Sequence, residues 1–193
     1  MKVPLFPLNS IVCPGGRIPL RVFEAHYLDM VSDCLKSNAG FVVVMLRDRD
    51  DMEGHDSRFY DVGTLVKVVD FGSDSRNGVL NLIVEGQFRV QIESASLQAD
   101  GLWQGTAYKM SEETFVSLPD QYQDLKAVLK ALVKHPLIEE LKMEIDFQDG
   151  RQVGLRLTEL LPLGNQQKQY LLELEDPLFR LEEIADQLTT MIS

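Results

Sequence analysis

The sequence predicts an α+β protein. A β-rich, partly closed barrel lobe with one inserted helix spans residues 1–110, and a C-terminal α-helical bundle spans residues 111–193. Three observations predict this. Up to Met110 the apolar residues alternate with period two or run in short blocks bounded by glycine and proline, the patterning of strands. Between Glu24 and Ser37 the period changes to that of a helix. Beyond Met110 the spacing is helical throughout, punctuated by prolines at helix starts and stops.

In chain order, Lys2–Phe6 is the first strand, and Pro14-Gly15-Gly16 is a turn. Ile18, Leu20 and Val22 alternate on one face of a second strand, and Pro19, which cannot donate to a ladder, marks it as an edge or a bulge. The helix from Glu24 to Ser37 carries Tyr27, Met30, Val31, Cys34 and Leu35 as its stripe, with Asn38 and Gly40 as its stop. Phe41–Leu46 is uninterrupted apolar sequence, as expected of a strand buried on both faces. Asp50–Ser57 reads as a polar loop. Val62–Phe71 reads as a strand interrupted by Gly63. Ser73–Gly78 reads as a hairpin turn with Asn77-Gly78 as its positive-φ pair. Val79–Glu85 returns, Gly86 breaks the run, Phe88–Ile92 alternates, and Ala107-Tyr108 closes the series. After a polar linker at Ser111-Glu112-Glu113, Pro119-Asp120 starts a helix that ends before Pro136. Further helices run over Val153–Leu161, Gln166–Leu174 and from Asp176-Pro177. The last carries Leu178, Leu181, Ile184, Ala185, Leu188 and Met191 as its stripe.

Composition narrows the function. With 193 residues, such a chain buries roughly 70% of its unfolded surface and needs no staple. Cys13 and Cys34 are isolated, fit the core, and form no Cys-x-x-Cys pair. The net charge is −11, from 30 acids against 19 bases, and no aromatic-basic stripe offsets it, so nucleic acid is not an expected partner. No apolar run reaches the roughly 20 residues of a membrane span, and no leader is evident, so a cytoplasmic setting is expected. The chain lacks the phosphate-cradling Gly-x-x-x-x-Gly-Lys-Ser/Thr and the Gly-x-Ser-x-Gly elbow, and His26, His55 and His135 are scattered. No cofactor, metal or catalytic residue is called for. His135, before Pro136, reads as a helix-end residue whose cation suits the dipole. Glu24 reads as a helix N-terminal acid or a partner of Arg21 or Arg89, and Glu85 as a turn acid or an arginine's buried partner.

Several of these segments resemble one family. Leu5-Phe6-Pro7-Leu8, Pro14-Gly15-Gly16, Pro19-Leu20 and Phe23-Glu24 resemble the opening of the substrate-binding domain at the N-terminus of Lon proteases. Asp61–Leu65 with Val68–Phe71 resembles its central strand. Val84-Glu85-Gly86 with Phe88-Arg89-Val90 resembles a later one, and Pro119 to Leu188 resembles its helical subdomain. The resemblance is to stand-alone members, without the ATPase and peptidase domains. It implies a PUA-like lobe and a non-catalytic module that recognises unfolded protein or peptide segments in protein quality control, with a full-length protease as a further partner. Candidate contact residues are Phe6, Arg21, Phe23, Glu24, Tyr27 and Arg89, with Ile11 and Val12 beside them. The alternative is a PUA-like domain for a small molecule or RNA, with a pocket of Tyr27, Arg89 and Trp103; an unrecognised enzyme is the third reading. Oligomeric state is not legible in the sequence.

Overall fold

The computed structural model describes residues 1–48, 58–74 and 78–192. The expected Asp50–Ser57 loop, His55 and the Asn77 end of the hairpin turn lie outside the described residues; Gly78, at the far side of that turn, has φ +64°. The chain forms two compact units, Met1–Met110 and Ser111–Ser193.

The first unit is a six-stranded sheet carrying one helix. Its strands are β1 (Lys2–Leu8), β2 (Arg17–Val22), β3 (Phe41–Leu46), β4 (Phe59–Asp74), β5 (Val79–Leu97) and β6 (Trp103–Lys109), in the order β2-β5-β4-β3-β1-β6. β5 is long enough to hold two partners. Its first half pairs with β2, and its second half, Val90–Leu97, pairs with β6. Since β6 also pairs with β1, the sheet curls into a partial ring without becoming a closed barrel. β1 and β3 are parallel, and a parallel pair needs a crossover; helix α1 (Ala25–Ser37) lies within it. Asn38, in the left-handed region at φ 51°, ends α1, as its position in the sequence predicts. β2 pairs along one edge only, the place where Pro19 is tolerated.

Period-two alternation divides the core. Val3, Leu5, Val42, Val44, Val90, Ile92 and Ala107 fill the inside of the ring. Phe6, Phe41 and Val43, on the opposite faces of β1 and β3, pack with Met30, Val31 and Cys34 of α1. β3 is therefore buried on both faces because it separates two cores. Ile11 and Val12 belong to the buried interior, and both cysteines are buried free thiols. Burial, with the Asp33 charge second, pushes the Cys34 thiol above its ordinary value, so it stays protonated and unreactive.

Two glycines act differently from expectation. Gly63 does not interrupt β4: it pairs with Val44, and a Cβ there would lie 2.6 Å from the Val43 carbonyl. Gly86 does not break β5, which runs continuously from Val79 to Leu97. Instead it admits another backbone segment. Gly15 donates to the Gly86 carbonyl at 2.8 Å, Gly86 donates to the Gly16 carbonyl at 2.9 Å, and the Cys13 carbonyl occupies the space a side chain would take. Next to it, Glu85 receives Arg17 Nε at 2.7 Å; this ion pair is partly exposed rather than buried.

The second unit comprises a 3-10 turn at Asp120–Tyr122 and helices α2 (Gln123–Leu132), α3 (Pro136–Glu139), α4 (Gly150–Leu160), α5 (Asn165–Glu173) and α6 (Pro177–Ile192). Leu125, Leu129, Val153, Leu157, Leu171, Leu181 and Ile184 form its core. Leu178 and Met191, expected on the α6 core stripe, are exposed. His135 lies between two helices: its backbone N–H donates to the Leu132 carbonyl at the end of α2 at 3.0 Å, and it is the N-cap of α3 in extended conformation. Arg180, unforeseen within the leucine stripe of α6, is fully buried. Its Nε donates to the Leu171 carbonyl at 2.8 Å, one terminal nitrogen donates to Glu113 Oε2 at 2.9 Å, and the other to Glu113 Oε1 at 2.6 Å and to the Leu174 carbonyl. Glu113, expected in a solvated linker, is thus the internal counter-ion of the helical unit.

Asp149 caps α4 by accepting from the Arg151 backbone N–H at 2.9 Å, and holds the Arg151 guanidinium at 2.7 Å. Burial alone would raise its carboxyl pKa. The hydrogen bonds and charge of Arg151, with help from Gln152, outweigh burial and hold it below the ordinary 3.8. A lowered folded pKa contributes stability that is complete above about pH 4 and is lost as pH falls through the folded value. Asp149→Asn is expected to lower the urea midpoint at pH 7 and to flatten its decline between pH 5 and pH 2. An unchanged decline would show that Asp149 does not carry the acid sensitivity.

Candidate functional site

A cleft of about 440 Å³ opens at one end of the partial ring. Five strands and the start of α1 meet there. β1 supplies Phe6, Pro7 and Leu8; β2 supplies Arg21; the helix start supplies Glu24, His26 and Tyr27. Leu46 ends β3, Arg58 directly precedes β4 and Phe59 begins it, and Gly101 and Trp103 flank the start of β6. Parallel β1 and β3 end on the same side, and antiparallel β4 begins there, so the topology brings these distant residues together.

The lining is aromatic below and charged at the rim. Phe6 packs on Tyr27 with ring centroids 4.4 Å apart and on Phe41 at 5.7 Å. His26 lies 4.2 Å from the Tyr27 ring. Phe59 and Trp103 form an edge-to-face pair at 5.3 Å and 87°. Gly101, at φ +92°, takes a conformation that side chains resist and leaves room beside the His26 imidazole. Burial, then the Glu24 charge, pushes the Tyr27 phenol above its ordinary value, which keeps its hydroxyl protonated as a hydrogen-bond donor. Glu24 makes no side-chain cap on α1; its carboxylate lies 3.6 Å from His26 Nε2. It therefore faces neither of the arginines considered from the sequence.

Of the six candidate residues, Phe6, Arg21, Glu24 and Tyr27 come together in this cleft. Phe23 is exposed but is not part of the lining. Arg89 is 4% exposed on β5 and does not line the cleft, so the expected pocket of Tyr27, Arg89 and Trp103 keeps its two aromatics and loses its arginine. Strict alternation through Phe88-Arg89-Val90 does not reveal this: Arg89 and Val90 point to opposite faces of the strand, yet both are buried. Arg58 and Phe59 are the lining residues that the sequence reading did not name; the signal for Phe59 is a large aromatic just after the polar Asp50–Ser57 stretch.

A smaller cleft of about 280 Å³ adjoins the first, sharing Phe59 and Trp103 and continuing along Asp61, Ile92, Glu93, Ser94 and Ala95. Among the described residues, no cluster of three or more His, Cys, Asp or Glu could hold a metal ion, and no helix is long and apolar enough to cross a membrane.

Similarity to known proteins places this architecture. The family model of the ATP-dependent protease La (LON) substrate-binding domain matches residues 2–190. The chain is 31% identical to the Lon N-terminal domain protein from Xanthomonas campestris, whose crystal structure superposes with a TM-score of 0.78 over 96% of this chain and 98% of that one. The N-terminal domain of Mycobacterium avium complex Lon protease shares the fold at a TM-score of 0.63 and 19% identity, over 96% of this chain and 97% of that one. Among curated proteins, the Lon protease of Endomicrobium trichonymphae is 23% identical over 98% of this chain, and that of Anaeromyxobacter dehalogenans (strain 2CP-C) is 22% identical over 83%. The match covers only 24% and 16% of those two proteases. With the family match running over almost every residue and the partial ring followed by helices shared with its solved members, the chain belongs to the LON substrate-binding domain family.

Proposed function

We propose that the protein is a non-catalytic recognition module of protein quality control, working in the cytoplasm, and that the cleft at the mouth of the ring captures segments of unfolded polypeptide. The observation that carries this reading is the gathering of Phe6, Tyr27, Phe59 and Trp103 around one open cleft. Folded chains bury most of their large apolar side chains, so an aromatic-lined opening favours an unfolded chain, which displays many more of them. The family's description as a substrate-binding domain supports the same reading. A full-length protease that receives the captured chain is a further proposed partner.

Trp103 is the protein's single tryptophan, so its fluorescence reports on the cleft and on the smaller one that adjoins it. Titration with an unfolded, tryptophan-free polypeptide is expected to shift Trp103 emission to shorter wavelength and to saturate. Tyr27→Ala should weaken binding about tenfold, the loss typical of truncating a central aromatic contact. Saturable binding that Tyr27→Ala leaves unchanged, with circular dichroism intact, would remove the cleft from the recognition surface. An emission change produced by small aromatic acids but not by polypeptide would favour the small-ligand alternative.

A further inference from the structure

The charges at the rim of the cleft run against those of the whole molecule. The chain has 30 acids and 19 bases, yet the cleft presents two arginines, Arg21 on β2 and Arg58 directly before β4, against one acid, Glu24. Both arginines are exposed, and neither has an ion-pair partner among the described residues. Glu24, the one acid of the lining, lies nearest the His26 imidazole, at 3.6 Å. Elsewhere, among the described residues, four arginines are paired with carboxylates: Arg17 with Glu85, Arg151 with Asp149, Arg156 with Glu159 and Arg180 with Glu113. In a chain with acids in excess, two guanidinium groups that meet no carboxylate among the described residues, at one aromatic cleft, mark a place for an incoming anion. A guanidinium binds a carboxylate in a planar fork, and the two groups sit on flexible exposed side chains rather than in a rigid nest of backbone N–H groups. The adjoining cleft, which shares Phe59 and Trp103, presents Asp61 and Glu93, which repel a carboxylate and leave the arginines as its seat.

Building on the polypeptide-capture reading, we propose that the cleft selects segments in which an Asp or Glu side chain stands next to an aromatic residue: the aromatic ring packs against Tyr27 and Trp103 while the carboxylate pairs with Arg21 and Arg58. A single acid beside an apolar residue fits; a long acidic run is repelled by the protein's overall charge.

The test uses the intact chain and acetylated, amidated decapeptides that differ only in the residue beside a central Phe, which is Asp, Asn or Lys, with Trp103 emission as the readout. The Asp peptide is expected to bind about fivefold tighter than the Asn peptide, the scale of one or two partly exposed ion pairs. The Lys peptide should bind weakest, although general attraction to an acidic protein predicts the reverse order. In R21E/R58E the preference should invert to Lys, and in R21Q/R58Q it should vanish; both residues are surface-exposed, so circular dichroism should be unchanged. Equal binding of all three peptides would overturn the charge selectivity and leave aromatic capture standing. Absence of binding by all three would remove capture and selectivity together. A fourth peptide, with Asn beside Phe and a free terminal carboxylate, binding as tightly as the Asp peptide would show that chain ends, not acidic side chains, are the ligand, and would overturn the proposal.

Discussion

Glu113→Ala is expected to destabilise the helical unit by about 3–5 kcal/mol, the range for removing one partner of a buried ion pair. Arg180 is fully buried, and Glu113 takes two of its donors; the Leu171 and Leu174 carbonyls take others. Removing the carboxylate leaves a desolvated cation with only carbonyl dipoles to balance it. The penalty comes from the stranded charge, so removing the charge as well should recover much of the loss. Urea unfolding followed by helical circular dichroism should place Glu113→Ala far below the parent and the double variant E113L/R180M between them. A Glu113→Ala midpoint within about 0.5 kcal/mol of the parent, as for an ordinary surface change, would show that water reaches the guanidinium.

Gly86→Ala is the second large effect. The added methyl would collide with the Cys13 carbonyl, a backbone group that cannot rotate aside. Relief requires moving either β5 or the Cys13–Gly16 turn, and that movement breaks the hydrogen bonds that Gly15 and Gly86 exchange with Gly86 and Gly16. A loss of about 3 kcal/mol is expected, the upper part of the range for overpacking. Gly72→Ala serves as the control, since its added methyl meets nothing within 4 Å. Equal melting temperatures for the two variants would mean that the turn shifts without penalty.

These two sites also show where sequence reading reaches and where it stops. The helix α1 was legible because its apolar period and its Asn38 stop are local signals. β3 was legible because Phe41 to Met45 leave no polar face. Gly86 was misread because the sequence displays a missing side chain but not the Cys13 carbonyl that requires its absence. Arg180 was missed because its counter-ion lies 67 residues away in the chain. The cleft was half legible for the same reason. Phe6, Arg21, Glu24 and Tyr27 lie in the opening segment of the chain, on β1, on β2 and at the start of α1. Arg58, Phe59 and Trp103 join them only through the pairing of β4 with β3 and of β6 with β1.

The double pairing of β6 has a consequence for synthesis. Of the unit's strands β1 is made first, and its parallel partner β3 follows within a few dozen residues. Its other edge, from Lys2 to Leu5, stays unsatisfied until Trp103–Thr106 arrives at the end of the unit. During that interval the nascent chain exposes an apolar strand edge able to pair with a neighbour on the same polysome. Ring formation is therefore a late, long-range step. The protein is expected to fold only after its N-terminal unit is complete, and holdase chaperones that protect strand edges should raise its soluble yield more than added folding time.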